Sequence, residues 1–398
     1  MAHFVAGNQI KLLRNGAEYF PALETAIAHA KHDVYLQTYI YQVDKAGTRI
    51  GHALTNAAKR GVAVHLMLDG FGCKDLPEYF VSSLEQAGVQ VLIYRPKISP
   101  WTLKKSRLRR LHQKVAVIDG KIGFVGGINI IDDYNIPEHA HQNAPPRIDY
   151  AVRIEGKLLT AITANVSKLW RRMAWIRLLP VQPFQYSTKR QSSKAMQLAQ
   201  RKNARYNTTA AFVIRDNVLH RHDIEEAYLN AIQHAKHEII IANAYFVPGI
   251  KFRHALIEAA KRGVNIKLVL QGRMEYYIMF ATHAFYSEFL KNGIEIYEYR
   301  KSFMHSKVAV IDQNWVTVGS SNIDPFSLLL AREANIVLRD AAFAGELRAD
   351  ILNDIQSGAE QVLPQQWARG NMLKRLASWV AYGFVRLLLS VIGRSNEH

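Results

Sequence analysis

The octapeptide His112-Gln113-Lys114-Val115-Ala116-Val117-Ile118-Asp119, closed by Gly126-Gly127-Ile128-Asn129, occurs twice in this chain. The second copy is His305-Ser306-Lys307-Val308-Ala309-Val310-Ile311-Asp312, closed by Gly319-Ser320-Ser321-Asn322. His112 to His305 and Asn129 to Asn322 are both 193 residues apart. A chain built this way folds as two copies of one unit. The apolar alternation through each copy reads as a strand, which puts residues i and i+2 on one face. His112 and Lys114 then project together, as do His305 and Lys307. Asp119-Gly120 favours a tight hairpin. The returning strand ends at Gly126-Gly127, which permits close backbone approach and brings Asn129 back toward the His and Lys. A single His-x-Lys in a strand is ordinarily a buried, hydrogen-bonded histidine. Two copies with the same Asp and Asn offsets point to one paired site.

The rest of the chain repeats in the same order. An amphipathic helix over Tyr19 to Lys31 precedes a strand, Val34 to Ile40. A helix through Ala53 to Arg60 is stopped by Gly61 and followed by the strand Val62 to Leu68. A helix over Phe80 to Gln86 then leads to the strand Val89 to Tyr94. Ala231 to His237 echoes Ala26 to His32, and Ala259-Ala260-Lys261-Arg262-Gly263 echoes Ala57-Ala58-Lys59-Arg60-Gly61. Alternating strands and helices imply an α/β fold with a mixed sheet flanked by helices. The duplication implies two tandem domains, related by a pseudo-twofold axis and sharing one cleft. The expected boundaries are 1–167 and 209–362 for the two domains, with a basic linker over 168–208 and a C-terminal tail over 363–398.

The motif pair, His-x-Lys-x4-Asp followed by Gly-[Gly/Ser]-x-Asn, resembles the signature of the phospholipase D superfamily. Ala242-Asn243-Ala244-Tyr245-Phe246 and Gly319-Ser320-Ser321-Asn322-Ile323-Asp324-Pro325 are similar to segments of the bacterial cardiolipin synthases, nearest to the B type. The resemblance runs from about Gly7 to Asp340. It implies phosphatidyl transfer between two phosphatidylglycerol molecules. It also implies a His-orienting acid on the strand after each Asn, and Asp149 and Glu333 fit those positions. Asp119 and Asp312 complete the motifs with the His and Lys, and in the family they are more structural than chemical.

The residues themselves support such chemistry. A neutral imidazole can attack phosphorus to form a phosphohistidine, and a protonated one can supply the leaving alkoxide with a proton. An unperturbed His pKa of about 6.5 makes both states accessible near neutrality. Lys114 and Lys307, with Asn129 and Asn322 as neutral donors, would stabilise charge on the phosphate oxygens. No metal or other cofactor is expected, since no acidic or histidine cluster has ligand spacing. The resemblance makes His112 the nucleophile and His305 the acid/base. Water or another alcohol could replace the lipid acceptor, which would give a phospholipase D hydrolase or another transphosphatidylase. A phospholipase D-type nuclease and a non-catalytic membrane adaptor are the remaining readings.

The formal net charge of +18 suits a polyanion, either an anionic membrane or nucleic acid. The motif resemblance and the Trp-rich basic segments favour lipid, so no nucleic acid partner is expected. The one cysteine, Cys73, has no partner for an internal disulfide, in keeping with a reducing compartment. No apolar run reaches the roughly 18 residues needed to span a bilayer. The expectation is therefore a peripheral protein on the cytoplasmic face of the bacterial inner membrane. Lys104, Lys105, Arg107, Arg109 and Arg110 form a basic insertion before His112, suited to gathering anionic substrate or to being a solvated loop. Lys168 to Tyr206 contains no acidic residue, and its start mixes Trp170 and Trp175 with Arg171 and Arg172. That mixture suits either a membrane interface or a helix packed on the domain. After Leu363, apolar Leu373, Leu376, Val380, Phe384, Leu387 and Val391 share one helical face and Arg375, Ser378, Tyr382 and Arg386 the other, as in an interfacial helix.

Overall fold

The computed structural model describes residues 2–96, 109–135, 145–176, 207–216, 219–273, 281–324 and 330–369, with Ser327, Ser378, Val380 and Gly383 as single residues. Most of the basic insertion, most of the inter-repeat segment and the amphipathic tail lie outside them.

The first half runs β1 (Val5–Arg14), α1 (Asn15–Ala28), β2 (Asp33–Thr38), α2 (Lys45–Lys59), β3 (Ala63–Asp69), α3 (Glu78–Gln86) and β4 (Gln90–Tyr94). It continues with β5 (Arg110–Leu111), β6 (Lys114–Ile118), β7 (Ile122–Gly126), β8 (Tyr150–Gly156) and α4 (Leu159–Ile176). The second half runs β9 (Thr208–Arg215), α5 (Asp223–His234), β10 (Glu238–Asn243), α6 (Ile250–Lys261), β11 (Asn265–Gln271) and α7 (Tyr286–Lys291). Then come β12 (Glu295–Tyr299), β13 (Lys307–Ile311), β14 (Trp315–Gly319), β15 (Ala331–Arg339), α8 (Ala341–Gly358), β16 (Ala359–Gln361) and α9 (Pro364–Arg369).

Local chemistry sets these boundaries. Asp44 caps α2 by accepting from the Gly47 amide at 3.0 Å, and Asp340 caps α8 by accepting from the Phe343 amide at 3.0 Å. Gly61 and Gly263 both turn out of their helices at φ +87°, a left-handed conformation that glycine adopts without a Cβ penalty. Every residue of β2 is buried, as expected of a strand covered on both faces.

The two halves share one continuous sheet. Its order is β16-β12-β11-β10-β13-β14-β15-β9-β1-β8-β7-β6-β2-β3-β4, with β5 added against β15. Read outward from the β9–β1 seam, the two halves have the same order, and β16 is an addition at one edge. In each half the outer three strands are parallel and the inner ones antiparallel. The sequence implied a sheet for each domain but gave no sign of the join. β1 and β9 would each otherwise be an edge strand with unpaired amides and carbonyls, and their antiparallel pairing removes both edges.

Alternation along the strands sorts side chains into three cores. Val34 and Leu36 face a core roofed by α1, α2 and α3, containing Leu23, Ile50 and Leu54. The equivalent core of the second half gathers Ile232, Leu256 and Phe289. Tyr35, Val115 and Val117 face the other way, into a core that both halves share beneath α4 and α8. Of the two readings the sequence left open for this stretch, Trp170 takes the second: it is buried beside His65, with ring centroids 4.7 Å apart, so at this residue α4 is a helix packed on the domain and not a membrane contact. The same helix continues past residue 168, so the linker expected from there begins inside a packed element. Trp175 is 75% exposed.

Candidate active site

Each His-x-Lys motif is held by the opposite half. β5, just before His112, pairs in parallel with Ala331 and Arg332 of β15. The His112 amide then donates to the Arg332 carbonyl at 3.0 Å. In mirror fashion, Ile148 bridges Met304 and the His305 amide donates to the Ile148 carbonyl at 2.8 Å. The residue after each accepting carbonyl is an acid, Glu333 in one case and Asp149 in the other. Strand geometry therefore delivers each carboxylate to the histidine of the other half. His112 Nδ1 lies 2.8 and 3.0 Å from the two Glu333 oxygens. His305 Nδ1 lies 2.6 Å from Asp149 Oδ2. With both Nδ1 atoms engaged, Nε2 is the nitrogen each ring keeps for a substrate. The sequence located both acids but not this exchange of partners.

Burial controls the charge of these groups. Both lysines are almost fully buried. Burial pushes Lys114 down to about 7 and Lys307 down to about 8, against the pull of Glu333 and Asp149. Each ammonium donates to the carbonyl of its own histidine, Lys114 to His112 at 2.6 Å and Lys307 to His305. Burial raises the Asp149 carboxyl to about 7, although Lys307 opposes it. His305 is lowered well below the ordinary range by burial, then by Lys307, Lys114 and Arg147. His112 is lowered by burial, and Glu333 opposes that shift. The mutual influence of groups from both motifs places them in one electrostatic site. Among the described residues, no group of three His, Cys, Asp or Glu side chains is arranged to hold a metal ion.

The motif aspartates lie elsewhere. Asp119 is five residues beyond Lys114, about 16 Å along an extended strand. Its oxygens accept from the amides of Lys31, His32 and Asp33 at 2.8–3.2 Å. Asp312 accepts from Lys236, His237 and Glu238 at 2.7–3.1 Å. Grouping them with the His and Lys as site residues is therefore corrected: they brace the turns leading into β2 and β10. Asp119 and Gly120 both have positive φ, as the hairpin reading required. Asn129 is buried, and its Oδ1 accepts from the Ile40 amide at 3.1 Å. Asn322 is buried too, and its Oδ1 has no partner among the described residues.

Several neighbours gave no signal in the sequence. Ser320 Oγ donates to Glu333 Oε2 at 2.5 Å. The Tyr39 ring packs edge-on to His112 with centroids 4.7 Å apart, and Lys114 Nζ lies 5.2 Å from its centroid. Asp69, at the end of β3, accepts from the Leu111 amide at 2.7 Å and anchors β5 beside His112. Of these, Ser320 alone lies inside the repeated motif, where the first half has Gly127.

Comparison with known proteins agrees with this geometry. A family model described as "Cardiolipin synthase, PLD-like domain" matches residues 23–140 and 228–355. Cardiolipin synthase B of Salmonella typhimurium is 39% identical over 399 residues, spanning 98% of this chain and 91% of that protein. Cardiolipin synthase B of Escherichia coli K12 is 37% identical over 393 residues with the same coverage. Among solved structures, phosphatidylserine synthase of Haemophilus influenzae superposes with TM-score 0.68 at 14% identity, over 97% of this chain and 95% of that one, a likeness of fold. The chain thus belongs to the cardiolipin synthase family of phospholipase D-like proteins.

Proposed function

We propose that the protein transfers the phosphatidyl group of one phosphatidylglycerol to the headgroup hydroxyl of a second, releasing glycerol and forming cardiolipin. The exchange of orienting acids between the halves carries this reading. It makes the two histidines parts of one device, each with Nε2 presented and Nδ1 held. In the first step His112 Nε2 attacks phosphorus, a P–N bond forms and the P–O bond to glycerol breaks. His305 gives its Nε2 proton to the departing alkoxide. In the second step His305 takes the proton of the acceptor hydroxyl, whose oxygen displaces His112 from phosphorus. Lys114 and Lys307 hold the non-bridging oxygens, with Asn129 and Asn322 as further donors. A phosphodiester charge between the lysines opposes their depressed pKa values. Burial lowers His305 most, and the same charge offsets the further lowering by Lys307, Lys114 and Arg147, so substrate readies the acid for its task. Asp149 and Glu333 fix ring orientation and stabilise each imidazolium.

The lipid substrate implies work at a membrane surface, and among the described residues no helix is long and apolar enough to cross a membrane. We place the protein peripherally, on the cytoplasmic face of the inner membrane. The net charge of +18 and the amphipathic pattern after Leu373 support attachment.

The test is turnover of phosphatidylglycerol vesicles by purified protein, followed by acid-free quenching and peptide mapping of labelled phosphorus. Equal yields of cardiolipin and glycerol, with label on His112, are expected. Phosphatidate as the main product would make the protein a hydrolase. Label on His305 would reverse the two roles.

A further inference from the structure

The side of the β5–β15 ladder that faces away from His112 carries an arginine cluster that the reaction does not use. Glu333 points to His112, so its neighbour Arg332 points to the opposite face, the side of Ala334, Ile336 and the core beneath α4. Arg109 and Leu111 lie on that face as well, by the same alternation. Arg172 comes from α4, four residues before its end at Ile176. The Nε atoms of Arg109 and Arg332 are buried without a hydrogen-bond partner among the described residues. The Arg109 guanidinium is lowered by burial and then by Arg95, Arg221 and Arg172. Burial also lowers Arg332, with Arg172 adding to the effect against Tyr94 and Asp216. Positive charge from Arg95, Arg172 and Arg221 thus acts on Arg109, and that of Arg172 on Arg332 as well, while Asp216 is the carboxylate acting on Arg332 and its Oδ1 already accepts the amides of Leu219 and His220. Buried, unpaired guanidinium nitrogens among like charges are costly unless an anion joins them. Three and four residues after Arg172, Trp175 and Ile176 are 75% and 57% exposed on the same side of the helix. An amphipathic aromatic and an aliphatic side chain beside clustered arginines match the depth profile of a lipid, with phosphate against cation and the acyl region against indole.

We propose that Arg109, Arg332 and Arg172, ringed by Arg95 and Arg221, form a second site that holds the phosphate of a non-reacting anionic phospholipid at the membrane surface. The sheet separates this site from the His112–Glu333 pair, so the lipid held here is not the one being cleaved. The same lipid contact would dock the first half on the bilayer beside the strand that positions His112.

The test measures binding in a His112→Ala background, so that the lipid is not consumed. Co-sedimentation with phosphatidylcholine vesicles, with and without phosphatidylglycerol, is compared for Arg172→Glu, Arg109→Gln and Lys121→Glu. Lys121 is exposed at the hairpin on the far end of β6, and its reversal changes net charge as much as Arg172→Glu does. Affinity for the phosphatidylglycerol vesicles should fall about fivefold in Arg109→Gln and tenfold or more in Arg172→Glu. Lys121→Glu should lose less than about twofold, since it removes no site contact. Unchanged melting temperatures identify these losses as binding effects. Equal losses in Lys121→Glu and Arg172→Glu would overturn the site in favour of diffuse surface charge. Unchanged vesicle binding in both arginine variants, with loss of plasmid DNA binding instead, would overturn the lipid and assign the cluster to nucleic acid.

Discussion

The two halves of this protein share a motif, a strand order and a pattern of exchanged acids, yet they hold their histidines in different surroundings. In the first half Tyr39 packs against His112 and under Lys114. The register of β2 and β10 puts Ala244 at the matching place in the second half, where His305 instead stacks on Phe303 at 6.0 Å. Asp149 is packed so closely that a Cβ on Gly127 would lie 2.2 Å from its Oδ1. At the matching place beneath Glu333, Ser320 uses its hydroxyl as a donor. Symmetric topology has thus been kept while the carboxylates were seated by different means. The first half uses a shorter acid and no side chain below it, the second a longer acid with a hydroxyl below it. The difference teaches that a duplicated site can seat equivalent acids by different means without changing its His or Lys residues.

The strongest way to break this comparison is to remove each imidazole. His112→Ala and His305→Ala should each lower turnover on phosphatidylglycerol by about a thousandfold or more, measured as cardiolipin formed. A donor with a good leaving group, such as a nitrophenyl phosphodiester, should restore release of nitrophenol in His305→Ala and not in His112→Ala. Rescue of both or of the opposite variant would show that the roles are not divided as proposed.

The seats of the acids come next. Gly127→Ala should displace Asp149 from His305 and reduce kcat by about a hundredfold. Ser320→Ala removes one donor from Glu333 and should cost about tenfold. A larger loss in Ser320→Ala than in Gly127→Ala would contradict the steric account.

The lysines give a pH test. Their folded pKa values are lowered to about 7 and 8, so each loses its charge as pH rises through that range. KM for the anionic donor should therefore rise between pH 7 and 9, read from initial rates across a buffer series. Lys114→Gln should raise KM at pH 6.5 and flatten its pH dependence. A KM independent of pH in the unaltered protein would mean that the lysines stay charged in the site.

The smallest effect concerns the motif aspartates. Asp119 is buried and Asp312 half-buried, although each accepts three backbone amides. Asp119→Ala should cost about 3 kcal/mol of stability and Asp312→Ala about 1 kcal/mol, in denaturant titrations. Equal costs would show that burial does not separate the two turns.

Much of the fold and most of the chemistry were legible in the chain. The parallel outer strands follow from apolar runs bounded by Gly61 and Gly263, because local periodicity and helix caps are short-range signals. His112, His305, Lys114 and Lys307 stand out through repetition alone. Trp170 and Trp175 illustrate where legibility ends. They are five residues apart in the same basic, aromatic stretch, and composition treats them alike, but one is buried in the core and the other 75% exposed. Which face of α4 meets the sheet depends on the partners packed beneath it.

The sequence by itself determined the duplicated unit with its two His and Lys pairs and the basic charge, and its resemblance to the phospholipase D superfamily pointed to the two acids beside the rings. Only the tertiary structure decided that β1 and β9 join the halves into one sheet, that Glu333 lies against His112 and Asp149 against His305, and that the Nε atoms of Arg109 and Arg332 are buried. These contacts join residues far apart in the chain. Glu333 lies 221 positions from His112. No local pattern encodes such a pairing, since it arises when strand hydrogen bonding fixes register across the seam and alternation sends neighbouring side chains to opposite faces.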